Sequence, residues 1–78
     1  NNSSLIEYYI NETGWVKLKI FDVAGREMGT LVNEEQNTGG YGIPVSLQLS
    51  IGVYFYKMIY TNKKGEMQMD VKKMVVVK

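Results

Sequence analysis

The chain has no cysteine and no histidine among its 78 residues. Without thiols there are no disulfides to constrain the unfolded state, and without thiols or imidazoles a zinc site is nearly excluded. No histidine base is available to activate a serine hydroxyl. Proline occurs once, at Pro44. Charge of one sign is not in excess: nine basic residues stand against eight acidic ones, for a net charge of +1. The concentrated basic face of a nucleic-acid binder is therefore not expected. No apolar run comes near the roughly 20 residues of a membrane-spanning helix. No segment carries a sustained 3.6-residue apolar repeat, so helices are not expected either. The opening Asn1-Asn2-Ser3-Ser4 lacks the pattern of a secretory signal and reads as a linker, residues 1–4, from a preceding domain.

What the chain does have is alternation. Hydrophobic residues make up 45% of it, too many for disorder, and residues 5–78 suffice for one domain with a modest core. The organising stretch is Leu49 to Tyr60, which from Gly52 onward is rich in β-branched and aromatic residues and apolar on both faces. It predicts a central strand with Tyr54, Tyr56, Met58 and Tyr60 in the core. Before it, Leu5–Ile10 alternates with Ile6, Tyr8 and Ile10 inward. Asn11–Gly14 predicts a turn with Gly14 free to take positive φ. Trp15–Phe21 alternates most clearly, with Val16, Leu18 and Ile20 inward and Lys17 and Lys19 outward. Asp22-Val23-Ala24-Gly25-Arg26 is a turn in which Asp22 can bond the backbone ahead of it. Glu27–Val32 predicts a short, bulged strand, and the polar Asn33–Gly40 a loop. Tyr41 to Leu49 predicts a strand at an edge, because Pro44 has no ladder donor. Thr61–Gly65 is a hairpin turn, and a last strand runs from Glu66 onward. In it Met67, Met69, Val71, Val75 and Val77 share a face with Lys73. The pattern predicts an all-β fold: an immunoglobulin-like antiparallel β-sandwich of about seven short strands, without an internal repeat.

Residues suited to catalysis are sparse. Acid–base chemistry needs two positioned titratable groups, and the acidic residues fall in turns, loops and solvent-facing positions. Glu34-Glu35 reads as a solvated loop tip. Gly39-Gly40-Tyr41-Gly42 lacks the spacing of a phosphate-binding loop. An enzyme is not expected, nor is a cofactor or a metal. Trp15, Phe21 and Phe55, with Tyr9, can form a surface aromatic patch of the kind that carbohydrate-binding modules use. Packing of these rings over the sheet is the favoured account. A structural or weakly dimerising module is a further reading. Lys63-Lys64 reads as a solubilising tip. Lys72-Lys73 reads either as an edge-protecting charge or as a recognition feature.

Several segments carry a resemblance. In order they are Ile6-x-Tyr8-x-Ile10, Val16-Lys-Leu-Lys-Ile-Phe-Asp22-x-x-Gly25-Arg26-Glu27, Leu31-Val32, Leu49-x-x-Gly52-Val-Tyr54-Phe-Tyr-Lys, and Lys72-Lys-Met-Val-Val-Val-Lys78. Together they resemble the type A C-terminal sorting domain of the type IX secretion system of Bacteroidetes-group bacteria. They are similar also to the related immunoglobulin-like domain of flagellar hook-capping proteins. The stretch from Tyr41 to Ile51 is a residue or two shorter than the family pattern and lacks a tryptophan often found there. The resemblance implies an address label that follows a cargo domain. The cargo reaches the periplasm, the domain directs it through the outer-membrane translocon, and a sortase-like protease at the cell surface then removes the domain. Localisation would be the cell surface or the medium. The resemblance places translocon recognition on Lys72, Lys73, Met74, Val75, Val76, Val77 and Lys78, and gives Asp22, Gly25, Gly52 and Tyr54 structural roles. Reading by strand addition, in which main-chain bonds supply affinity, fits a last strand with unpaired backbone groups.

Overall fold

The computed structural model of the protein describes residues 5–45 and 47–77, so the expected linker, Ser46 and Lys78 lie outside the described residues. The described chain is all-β and folds as a two-layer antiparallel sandwich. It has six strands: β1 (Leu5–Ile10), β2 (Gly14–Asp22), β3 (Glu27–Gln36), β4 (Gly39–Pro44), β5 (Gly52–Asn62) and β6 (Met67–Val76). β1 pairs with β4 as one sheet, and the other has the order β3-β2-β5-β6. Among the described residues there are thus six strands rather than the seven expected.

Period-two alternation fixes what each strand buries. In β2, Val16, Leu18 and Ile20 are fully buried, and β1 contributes Ile6 and Ile10 from the opposite layer. Tyr54, Val32 and Val76 complete the core. β5 lies between β2 and β6 as its two apolar faces predicted, with Leu18 opposite Met58 and Ile20 opposite Tyr56. Two tyrosines anchor strand starts to the chain just upstream. The Tyr54 hydroxyl donates to the Ser50 carbonyl at 2.8 Å, and the Tyr41 hydroxyl donates to the Asn37 carbonyl at 2.6 Å. Each bond runs back four residues, the arrangement of the tyrosine corner of immunoglobulin-type sandwiches.

The four-stranded sheet contains one turn device twice. In the first hairpin Asp22 Oδ1 accepts from the backbone N–H groups of Ala24 and Arg26, and Gly25 has φ +88°. In the second, Asn62 Oδ1 accepts from the N–H groups of Lys64 and Glu66, and Gly65 has φ +85°. The closing backbone bonds also match: Asp22 N–H to Arg26 O and Gly25 N–H to Asp22 O, Asn62 N–H to Glu66 O and Gly65 N–H to Asn62 O. Each is a three-residue hairpin loop whose glycine takes the left-handed position. The shared pattern, Asx-x-x-Gly followed by a charged residue, was readable at both places. β2 and β5 pair antiparallel about Leu18 and Met58. The hairpins β2–β3 and β5–β6 are therefore related by a local two-fold axis through that pair.

Several boundaries differ from the pattern-based expectation. β3 continues through Asn33–Gln36, and β4 already includes Gly39-Gly40, so the expected loop shrinks to two residues. The polar end of β3 can be a strand because Gln36 is buried with both its groups satisfied. Its Oε1 accepts from the Tyr8 hydroxyl at 2.6 Å, and its Nε2 donates to Glu34 at 3.0 Å. The expected bulging of β3 occurs as two register shifts, opposite Leu18/Lys19 and Ile20/Phe21. The strand expected over Tyr41–Leu49 ends at Pro44, although Val45, Leu47 and Leu49 still pack against the core. Gly14 does not take positive φ. It is the first residue of β2, and a Cβ there would stand 2.5 Å from the Thr61 carbonyl oxygen. Close approach, not turn geometry, requires glycine at that position.

Candidate recognition edge

Of the expected recognition residues, Lys72, Lys73, Met74, Val75 and Val76 lie on β6, one of the two outer strands of the four-stranded sheet, and Val77 follows it. Which way its side chains point is set by the hairpin before it. Asn62 stands opposite Glu66 across the closing bond, and from there Tyr60 pairs with Gln68, Met58 with Asp70, Tyr56 with Lys72 and Tyr54 with Met74. Gln68, Asp70 and Lys72 therefore fall on the inner side of the sheet. Met67, Met69, Val71, Lys73 and Val75 fall on the outer side. Apolar patterning alone would favour the reverse, but one turn geometry decides the parity of the whole strand.

The result is a strand that the core covers only at its end. Val76 is buried and Met74 half-buried, whereas every residue from Met67 to Lys73 is exposed. Met67, Met69, Val71 and Val75 keep 65%, 61%, 52% and 52% of their surface. The inner-side residues Gln68, Asp70 and Lys72 stay exposed, and Lys72 Nζ lies 3.9 Å from Asp70 Oδ2. Among the described residues no strand pairs with the outer edge of β6.

The phase of that edge follows from the same turn. The Asn62 N–H bond to Glu66 O makes this a hydrogen-bonded pair, and such pairs recur every second residue. Even-numbered residues of β6 spend their main-chain groups on β5. The N–H and C=O groups of Met67, Met69, Val71, Lys73 and Val75 point away from the sheet. A ladder of unpaired donors and acceptors thus coincides with the residues that carry the outer apolar face.

The other expected sites are distributed as follows. Asp22 and Gly25 build the first hairpin turn. There the Arg26 backbone N–H, and after it the Arg26 guanidinium at 2.8 Å, hold the Asp22 carboxyl below its ordinary pKa. Gly52 opens β5 opposite Val76, and Tyr54 is core. The aromatic residues are not one platform. Phe21 and Phe55 are direct cross-strand partners on the outer face, with Lys57 Nζ 5.3 Å from the Phe21 ring centre. Trp15 lies six residues along β2 from Phe21, roughly 20 Å away, and its indole N–H donates to Asn33 at 2.8 Å. Tyr9 is on the far side of the sandwich, on β1. Lys63 of the second hairpin tip pairs with Glu35. Glu34, expected at a loop tip, is instead strand β3 and bonds Gln36. Tyr8 stacks on Tyr41 with ring centres 5.4 Å apart, and burial raises its pKa. A polar hollow of about 290 Å³ lies between the β1–β2 turn and the second hairpin, where the Tyr60 hydroxyl donates to the Glu12 carbonyl. Sequence reasoning missed that the Met/Val face of β6 is the outward one. The spacing from Asn62 to Gly65, matched to the first turn, was the signal that could have shown it.

A scan against protein-family models, a search of curated proteins and a search of solved structures each returned no match to this chain.

Proposed function

We propose that the protein is a sorting module of the type IX secretion kind, whose β6 is the feature a translocon reads in an attached cargo. The observation that supports this is the exposure of Met67–Lys73 on both faces together with an unpaired main-chain edge. A receptor that must accept many unrelated cargoes needs a common handle. Strand addition to an edge supplies one, since the bonds are main-chain and the alternate side chains add selectivity. Lys72 and Lys73 then project on opposite faces of the bound strand, with Met74 and Val76 holding its end to the core. After export, a sortase-like protease would release the cargo at the cell surface. Asp22, Gly25, Gly52 and Tyr54 serve this function only by holding β5 and β6 in place.

The test is export of a reporter fused before residue 1 in a host that carries the translocon. Residues 1–78 should direct the reporter to the surface or medium. Removal of residues 72–78 should retain it in the periplasm. Normal export of the truncated fusion would reject the reading. A chain that exports nothing but binds cell-wall polysaccharide with a change in Trp15 fluorescence would favour a carbohydrate-binding module instead.

A further inference from the structure

We infer that the outer edge of β6 pairs with β6 of a second copy of this chain, antiparallel, about a two-fold axis at Val71. Such a dimer would join the two four-stranded sheets into one continuous sheet. Three features of the strand select this arrangement, and none depends on the sorting function.

The first is backbone phase. The outward N–H and C=O groups belong to Met67, Met69, Val71, Lys73 and Val75. In an antiparallel hydrogen-bonded pair, residues whose groups face each other must stand directly opposite. Odd-numbered residues must therefore meet odd-numbered residues. That also keeps the outer face of one copy beside the outer face of the other. With Val71 opposite Val71 of the second copy, Met69 meets Lys73 and Met67 meets Val75. Nearly the whole strand is paired, with roughly ten main-chain hydrogen bonds across the edge.

The second feature is charge. In this register Asp70 stands opposite Lys72 of the second copy and Lys72 opposite its Asp70. All four side chains lie on the uncovered inner side, in the closer, non-hydrogen-bonded positions. Asp70 and Lys72 are already neighbours within one chain, so the pairing would close a ring of four alternating charges. Sliding the strands to the adjacent allowed registers puts Asp70 opposite Asp70 or Lys72 opposite Lys72. Like charges directly opposed are unfavourable, so charge selects among the registers that backbone phase allows.

The third is the outer face. Met67, Met69, Val71 and Val75 are each more than half exposed in the single chain. The two-fold register sets Val71 against Val71, Met67 against Val75, and Met69 against the methylene stem of Lys73, whose ammonium reaches water. Lysine on an edge ordinarily discourages sheet extension. Here each lysine of β6 meets either an acid or an apolar side chain, never another lysine. An isologous contact of this kind closes on itself and stops at two copies. It buries one strand edge rather than a standard interface, so the dimer is a weak one. Where the sorting function also holds, the dimer occupies the edge that a receptor strand would need.

The absence of native cysteine makes the register directly readable. Under mild oxidation Val71→Cys should form a disulfide-linked dimer, since the Cα separation of a directly opposed hydrogen-bonded pair, about 5.5 Å, falls within disulfide range and a small shift at a weak interface brings the Cβ atoms together. Met69→Cys alone and Lys73→Cys alone should form no disulfide-linked dimer, and an equimolar mixture of the two should cross-link. In sedimentation of the cysteine-free chain, association should rise with concentration and weaken with salt. Asp70→Lys should weaken it about tenfold or more, and adding Lys72→Asp to that variant should recover most of the loss. The inference is overturned if Val71→Cys cross-links no faster than Glu7→Cys on the far sheet. It is also overturned if Met69→Cys links to itself, or if the chain sediments as a monomer up to millimolar concentration. Reporter export is unaffected by the last result, so failure of this inference and failure of the sorting function are separable.

Discussion

Replacing Tyr54 should separate the weight of a ring from the weight of its hydroxyl. The ring is 7% exposed and joins the core beside Val76, while the hydroxyl reaches back to the Ser50 carbonyl. Tyr54→Phe removes one hydrogen bond whose acceptor, on an exposed residue, can turn to water. The expected loss is about 1 kcal/mol. Tyr54→Ala also removes the ring and leaves a cavity under the strand that carries β6, for about 3–5 kcal/mol. A domain of this size has a total stability of about 4–12 kcal/mol, so the alanine variant should be largely unfolded near body temperature. The unfolding entropy of a small domain makes 1 kcal/mol worth roughly 6 °C in Tm. The phenylalanine variant should then melt about 6 °C below the unmodified chain, and the alanine variant roughly 20 °C or more below. Tyr56→Ala, half-exposed on the same face opposite Lys72, should cost less than half as much. Thermal melts by circular dichroism, with urea titration to compare m-values, check all three. An alanine variant within 5 °C or so of the parent, or no difference between Phe and Ala, would refute the assignment of Tyr54 to the core.

The two matched hairpins, the acid response and the edge give the remaining expectations. Gly25→Ala and Gly65→Ala each force an L-residue to positive φ and should each cost about 1–2 kcal/mol by urea titration, with additive losses in the double variant. Asp22 has its pKa lowered in the fold, so its contribution is present above the ordinary carboxylate range and is lost as pH falls through the folded value. The acid limb of a pH–stability curve should flatten in Asp22→Asn, which keeps the turn acceptor that Asn62 uses in the sister hairpin. Tyr8, whose pKa is raised chiefly by burial, gives the opposite limb. Its stabilisation is complete below the ordinary tyrosine value and fades as pH rises beyond it, which ultraviolet titration of the parent and Tyr8→Phe would show. Proline should report the edge phase: Val71→Pro should leave the domain folded, while Lys72→Pro should break the β5–β6 ladder and lower Tm far more.

Much of this architecture was legible because β1 and β2 alternate cleanly and β5 is apolar on both faces. Ile6, Ile10, Val16, Leu18 and Ile20 all fall on the even-numbered face of their strands and are buried, so the inward set followed from period two. The first hairpin was legible too, since Asp22 and Gly25 each have one physical task there. The polar half of β3 was not. Asn33-Glu34-Glu35-Gln36 has loop composition, and it becomes a strand because Tyr8, twenty-eight residues away, satisfies Gln36. A long-range bond of that sort leaves no local trace. Gly39-Gly40 likewise enters β4 only because Ile10 and Tyr9 lie opposite. The aromatic patch failed to assemble for a simple metric reason: residues that share a face of one strand can still be several strand spacings apart.

The exposed Met/Val face of β6 follows from a contest between two local rules. Hydrophobic alternation would turn Met67, Met69, Val71 and Val75 inward. The Asn62–Gly65 turn, by placing Asn62 opposite Glu66, turns them outward and puts Asp70 and Lys72 inside. The turn wins because its cost is concentrated: Asn62 Oδ1 bonds two backbone N–H groups at once, and losing that arrangement would leave a hairpin with no closure. The apolar cost is lower, because the first half of β6 is exposed on both faces, and those side chains had little core to enter. Only Met74 and Val76, at the half-buried and buried end of the strand, are apolar on the inner side. The sequence of β6 thus matches the outward parity along its length, with polar residues where the inner side is open and apolar ones where it is closed. What remains unmatched is the apolar outer stripe, and an apolar stripe beside unpaired main-chain groups is satisfied by another strand.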